Sequence, residues 1–230
     1  MEGLVALVGS GEYLPTMRPL EQQLLENRPP RFVQIATAAV PDGEERLAYW
    51  HELGRTQAEA LGVTCVIATV TNRDEANDPQ FADLVRGAGL IYLSGGHPGF
   101  LADVLRDTLL WRNVVAEWRG GASLAGCSAG AMAMCSWVPS LRHPFDSGVR
   151  GLGLFPTLRV IPHFDAFYQR VPSIADRFIH GKDESVSLIG IDEETAIVGG
   201  PQTWRVEGRG SAWRLDGDRV EFPTGTTLSL

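Results

Sequence analysis

Along the first half of the chain, short apolar runs rich in β-branched residues alternate with longer stretches in which apolar residues recur at helical spacing. Residues 4–8, 32–36, 64–68, 90–93 and 123–126 read as strands; 17–27, 44–61, 74–86, 98–106 and 109–119 read as helices, several opening near Asp, Thr or Pro caps. Five βα units in this order predict a parallel sheet wound by crossover helices. After Gly151 the pattern changes. Segments 159–162 and 186–191 look like further strands separated by a helix near 171–179. Short alternating segments at 196–198, 203–206, 212–215 and 219–222 then follow, broken by Gly-Gly-Pro, Glu-Gly-Arg-Gly and Asp-Gly-Asp turn signals, which predicts an antiparallel meander. With no repeat, low-complexity tract or Ser/Gly linker, residues 1–230 read as a single three-layer α/β domain with a mostly parallel central sheet.

Composition narrows the functional classes. A hydrophobic content of 44% over 230 residues is enough for a continuous core. The formal net charge of −8 lacks the positive field that a phosphate backbone requires, so nucleic acid is not an expected partner. No apolar run approaches the roughly 20 residues that span a bilayer, and the N-terminus opens into a strand without a basic leader, so a cytoplasmic protein without membrane contact is expected. The three cysteines, Cys65, Cys127 and Cys135, show no C-x-x-C spacing and are expected to be reduced and mostly buried; no metal is called for. Gly9-Ser10-Gly11 after the first strand is like the start of a dinucleotide fingerprint, but Leu14 stands where the third glycine belongs, so no cofactor is expected. Trp204 and Trp213 fit hydrophobic faces of the C-terminal strands and read as core.

The segment 122–133 reads as a strand entering a helix through Gly126-Cys127-Ser128-Ala129-Gly130, a G-x-S-x-G sequence. Small residues flank the serine in a nucleophile elbow because strand and helix backbones pass closely there, and the hydroxyl is then exposed near the first N–H groups of the helix. Read without context, Ser128 is equally an ordinary helix cap. Context comes from Leu93-Ser94-Gly95-Gly96-His97, a strand ending in a double glycine, where bare N–H groups approach a substrate oxygen; Gly95 or Gly96 together with Ala129 are the candidate oxyanion donors. Of five histidines, His51 and His180 read as structural, and His97 and His143 lie in loops that reach toward substrate. His163 comes off the end of an apolar strand and is the preferred general base. Asp192, Glu193 and Glu194 follow the next strand. Strand parity places Glu193 on the opposite side from its two acidic neighbours, which favours it as the orienting carboxylate; Asp146 and Asp165 are the further candidates.

With these residues in hand, the chain resembles the dipeptidase E and cyanophycinase family of serine peptidases, which share the class I glutamine amidotransferase-like, flavodoxin-like fold. The likeness runs from Leu7-Val8-Gly9-Ser10-Gly11-Glu12 through Leu93-Ser94-Gly95-Gly96, Gly126-Cys127-Ser128-Ala129-Gly130-Ala131, Gly151-Leu152-Gly153-Leu154 and Pro162-His163-Phe164 to Gly190-Ile191-Asp192-Glu193-Glu194-Thr195-Ala196. It implies a Ser-His-Glu triad on Ser128, His163 and Glu193 and hydrolysis of a short peptide or isopeptide. Where cyanophycinase-like members carry Asn after the double glycine and Arg after the His-Phe pair, this chain has His97 and Asp165-Ala166-Phe167. His97, His143 and Arg170 are the candidate substrate contacts, with Arg142 and Arg150 as further partners for an acidic group; a homodimer is compatible with the sequence without being required by it. Three alternatives remain: an α/β-hydrolase esterase with the order Ser128, Asp146, His163; a glutamine amidotransferase, whose central cysteine Cys127 would miss by one residue; and a binding module that kept the fold without activity.

Overall fold

The computed structural model describes residues 2–138, 148–166, 186–200 and 203–230. Its central sheet is built on five parallel strands, β1 (Val5–Val8), β2 (Arg31–Ile35), β3 (Thr64–Ile67), β4 (Leu90–Leu93) and β5 (Ser123–Cys127). Strand alternation sorts their side chains into two cores. Val5, Leu7, Val33, Ile35, Ile91, Leu93 and Leu124 join one cluster; Ala6, Val8, Phe32, Leu90, Tyr92, Ala125 and Cys127 join the other. Helices α5 (Pro98–Leu105), α6 (Leu109–Arg119) and α7 (Ala129–Met134) contribute to the first, and α1 (Arg18–Leu25) and α2 (Glu44–Leu61) to the second. Strands buried on both faces between helix layers are what a parallel sheet demands, and three layers result.

The expected helix over 74–86 is instead three short pieces: α3 (Arg73–Asn77), α4 (Pro79–Ala82) and a 3₁₀ turn (Asp83–Val85). Asp78 stands before Pro79, so its backbone is extended, and its side chain caps the new helix by accepting the Gln80 N–H.

The antiparallel strands expected near the C-terminus are present, and they are shared between two sheets. β10 (Thr195–Gly199), β11 (Thr203–Gly208) and β14 (Thr227–Ser229) extend the central sheet beside β1, giving the order β14-β11-β10-β1-β5-β4-β2-β3. β12 (Ser211–Arg214) and β13 (Val220–Pro223) leave it for a second sheet in the order β13-β12-β9-β8, where β8 (Leu158–Ile161) and β9 (Ser187–Ile191) are parallel. A two-stranded ribbon pairs β6 (Trp137–Val138) with β7 (Val149–Arg150). Trp204 is fully buried in the first core, edge-on to Phe155 at 5.2 Å, as its alternation implies. The expected helix near 171–179 lies outside the described residues. Because β1, β4, β5, β8 and β9 all end on one side, their following turns form a common edge, the place where open α/β sheets bind ligands.

One buried acid makes the fold sensitive to pH. Glu21 on α1 is 1% exposed; burial raises its carboxyl to about 7, against the opposing effect of the Gln57 amide, which donates to Oε2. The folded state therefore holds this proton more tightly than the unfolded chain. Its stabilising contribution is full below about pH 4.5 and is lost as pH rises through about 7, a change of at most about 3 kcal/mol. Urea midpoints compared at pH 5 and pH 8.5 should show this fall, and Glu21→Gln should flatten it.

Candidate active site

β5 passes into α7 through a turn in which Ser128 has φ 49° and ψ −104°, a region that side chains rarely occupy. The surroundings hold it there. Its N–H donates to the Val8 carbonyl at 2.9 Å. A Cβ on Gly126 would lie 2.6 Å from the Gly130 carbonyl carbon, and one on Gly130 would lie 2.3 Å from the Leu93 oxygen. Strand β5, helix α7 and strand β4 thus pass too closely for any side chain at those two positions, and the half-buried serine is the residue turned outward.

His163 follows β8, also at positive φ (52°), and Phe164 beside it lies over Gly190 of β9, where a Cβ would come within 2.5 Å of the ring. That fit seats the turn. The imidazole Nε2 lies 3.1 Å from Ser128 Oγ, and Nδ1 lies 2.8 Å from Glu193 Oε1. An ionised carboxylate only accepts, so Nδ1–H donates to Glu193 and Nε2 is left to accept from the serine hydroxyl. Glu193 is itself braced, its N–H donating to Asp165 Oδ1 at 3.0 Å.

The neighbouring acids, on the turn that follows β9, point elsewhere. Asp192 accepts the Ser211 N–H and the Trp213 indole N–H, both at 2.9 Å, and its burial raises its carboxyl above the usual range. Glu194 pairs with Arg209 at 2.8 Å. Among the described acids weighed from the sequence, Glu193 alone hydrogen-bonds His163.

At the double glycine, Gly95 donates its N–H to Glu12 Oε1 at 2.9 Å, which takes it out of the pool of candidate oxyanion donors. The N–H of Gly96 and that of Ala129, at the start of α7, meet no protein acceptor among the described residues. His97 places Nε2 2.7 Å from Asp42 Oδ1, so this candidate substrate contact has an acidic partner of its own. Arg150, largely exposed, stands 3.8 Å from Asp107. His51 is buried on α2, where burial, reinforced by Arg55, lowers its pKa and keeps it neutral. Arg142, His143, Asp146, Arg170 and His180 lie outside the described residues.

Sequence reasoning assigned Glu12 no role, although it is 9% exposed and bridges Gly95 and Cys127, whose thiol donates to Oε2 at 2.7 Å. The available signal was an acid placed directly after Gly9-Ser10-Gly11 at the end of a buried strand. Burial, reinforced by Glu12, pushes the Cys127 thiol well above its ordinary range, so it stays protonated and is a poor nucleophile. Among the described residues, no group of three or more His, Cys, Asp or Glu could hold a metal, and no helix is long and apolar enough to cross a membrane.

A strained serine at a strand-to-helix elbow, facing an imidazole and a carboxylate at the carboxyl ends of parallel strands, has the architecture of an α/β serine hydrolase. Residues 4–205 match peptidase family S51; the chain belongs to that family and is a serine-type peptidase. The crystal structure of a peptidase from an acI-B1 Actinobacterium superposes with a TM-score of 0.91 at 40% identity, covering 100% of this chain and 98% of that one. A putative peptidase E protein from Listeria monocytogenes EGD-e shares the fold at a TM-score of 0.63 and 19% identity, over 91% of this chain and 100% of that one. No functionally curated protein matches the chain. The family resemblance drawn from the motifs is borne out.

The elbow's close packing yields a test. Gly130→Ala must push a methyl into the Leu93 carbonyl, so it should cost about 1–3 kcal/mol in urea unfolding and displace the serine. Labelling by a fluorophosphonate probe should fall below that of the wild type even under conditions where the variant is fully folded.

Proposed function

We propose that this S51 peptidase hydrolyses short peptides or isopeptides through Ser128, His163 and Glu193, with the N–H groups of Gly96 and Ala129 as oxyanion donors. The observation that carries the reading is the continuous run of hydrogen bonds from Ser128 Oγ to His163 Nε2 (3.1 Å) and from His163 Nδ1 to Glu193 (2.8 Å). Ser128 attacks the scissile carbonyl while His163 takes its proton. The imidazolium then returns that proton to the leaving amine, and water repeats the cycle on the acyl-enzyme. Glu193 holds the tautomer that leaves Nε2 free to accept and stabilises the imidazolium. The developing oxyanion is met by N–H groups that no protein acceptor among the described residues occupies. His97, His143 and Arg170 are the proposed substrate contacts. His97 would meet substrate as part of its pair with Asp42, which favours a donor group or cation over a free carboxylate at that position.

Ser128→Ala should abolish both turnover of a dipeptide and isopeptide library and fluorophosphonate labelling, with the melting temperature little changed; wild-type turnover in that variant would end the proposal. Cys127→Ala in the same assay separates a serine from a thiol enzyme, because a cysteine-dependent amidase would lose activity there and keep it in Ser128→Ala.

The third member is tested by comparing amides under one assay. Removing an orienting carboxylate's charge costs on the order of 10⁴ in turnover with the geometry kept, so Glu193→Gln should fall furthest. Asp146→Asn, Asp165→Asn, Asp192→Asn and Glu194→Gln should each retain more, with Asp165→Asn the most affected of the described three because it braces the Glu193 backbone. A deeper loss in any of these four would reassign the position.

A further inference from the structure

Glu12 lies on the turn after β1, nearly buried, with its two oxygens on different elements: Oε1 accepts the Gly95 N–H at 2.9 Å and Oε2 accepts the Cys127 thiol at 2.7 Å. Gly95 is wedged between that carboxylate and the nucleophile. A Cβ there would stand 2.8 Å from Glu12 Oε1 and 3.7 Å from Ser128 Cβ. On the far side of the double glycine, the His97 N–H donates to the Ala38 carbonyl at 2.7 Å. The amides before and after Gly96 are therefore both tied, and the Gly96 N–H between them meets no protein acceptor among the described residues.

Two successive glycines offer little resistance of their own to rotation of the peptide between them, and Gly96 sits at φ 136°, where only glycine is at ease. The direction of the Gly96 N–H is thus set by the two flanking bonds, one made by a backbone carbonyl and the other by a side chain. That side chain also grips Cys127, the residue directly before Ser128, so a single carboxylate ties the double-glycine loop to the elbow.

We infer that Glu12 is a positioning residue for the oxyanion hole, holding the Gly95–Gly96 loop in register with Ser128 so that the Gly96 N–H faces the oxygen on which charge develops. The inference rests on the reading of Ser128 proposed above. A carboxyl group kept only to fill space would be a poor choice at a buried position, since an apolar side chain of equal length fills it without burying two polar oxygens. What the carboxylate adds is a fixed acceptor for Gly95.

The test uses p-nitrophenyl acetate as a generic acyl donor with the full-length protein, and thermal unfolding is followed in parallel. Loss of the nitrophenol burst in Ser128→Ala establishes that the assay reads the serine; a burst that persists there overturns the serine reading itself. Glu12→Met keeps the length and removes the acceptor. It should lower kcat by about 10²-fold, in the range for losing one oxyanion donor, while KM stays within about threefold. Glu12→Gln, whose side-chain carbonyl can still accept from Gly95, should recover most of the lost turnover. If the Met variant does not fold, Glu12→Asp, one methylene too short to reach Gly95, takes its place and should show the same loss relative to Gln. A Ser128-dependent burst with unchanged kcat in Met or Asp overturns the positioning role, as does Gln falling as far as Met or Asp.

Discussion

At Gly126, Gly130 and Leu93, strand β5, helix α7 and strand β4 approach so closely that a single Cβ at either glycine would overlap backbone atoms. This contact comes before everything else at the site. It forces the chain to reverse within one residue, and the residue that takes the strain is Ser128. A serine at φ 49° is unfavourable by on the order of 1–3 kcal/mol if left to itself, so it persists because the packing around it, together with the Ser128–Val8 hydrogen bond, leaves no alternative. The hydroxyl is thereby aimed out of the sheet, and the first N–H of α7 beside it meets no protein acceptor among the described residues.

The partners of that hydroxyl come from a different sheet. Ser128 stands on the central sheet, whereas His163 and Glu193 follow β8 and β9 of the second. The two sheets are joined by the chain itself at the β9–β10 turn and by close backbone passage there: a Cβ on Gly9, after β1, would lie 2.1 Å from the Asp192 oxygen, after β9. Glycines at Gly9 and Gly190 let the end of β1 and the ring of Phe164 close in on β9 from two directions. Side-chain alignment at the site is in this sense a backbone property.

Much of this was legible in the sequence because it follows from periodicity. The βα alternation, the buried runs of β1 to β5 and the elbow with its small neighbours each follow from spacing that side-chain geometry dictates. The break at Asp78–Pro79 was also written in the chain, and apolar spacing over 74–86 masked it. What could not be read is what depends on tertiary neighbours. The strand that leaves one sheet for another and returns, from β11 through β12 and β13 to β14, carries the same alternating signal as an unbroken meander. Gly95 and Gly96 look alike as donors until Glu12, distant in sequence, is seen to occupy one of them. Asp165, a further candidate for the orienting carboxylate, instead accepts the Glu193 N–H, a role that spacing along the chain does not reveal.

Asp192, Glu193 and Glu194 are consecutive acids with three separate partners: the second sheet through Ser211 and Trp213, the imidazole of His163, and Arg209 on the turn between β11 and β12. The turn stands like a tripod, each leg footed on a different part of the molecule. Its chemistry therefore depends on counting as much as on composition. Inserting one residue between Ile191 and Thr195 would shift every leg and turn a different side chain toward the imidazole, and deleting one would leave two acids for three footings, so the length of the turn constrains the site as much as the identity of its acids.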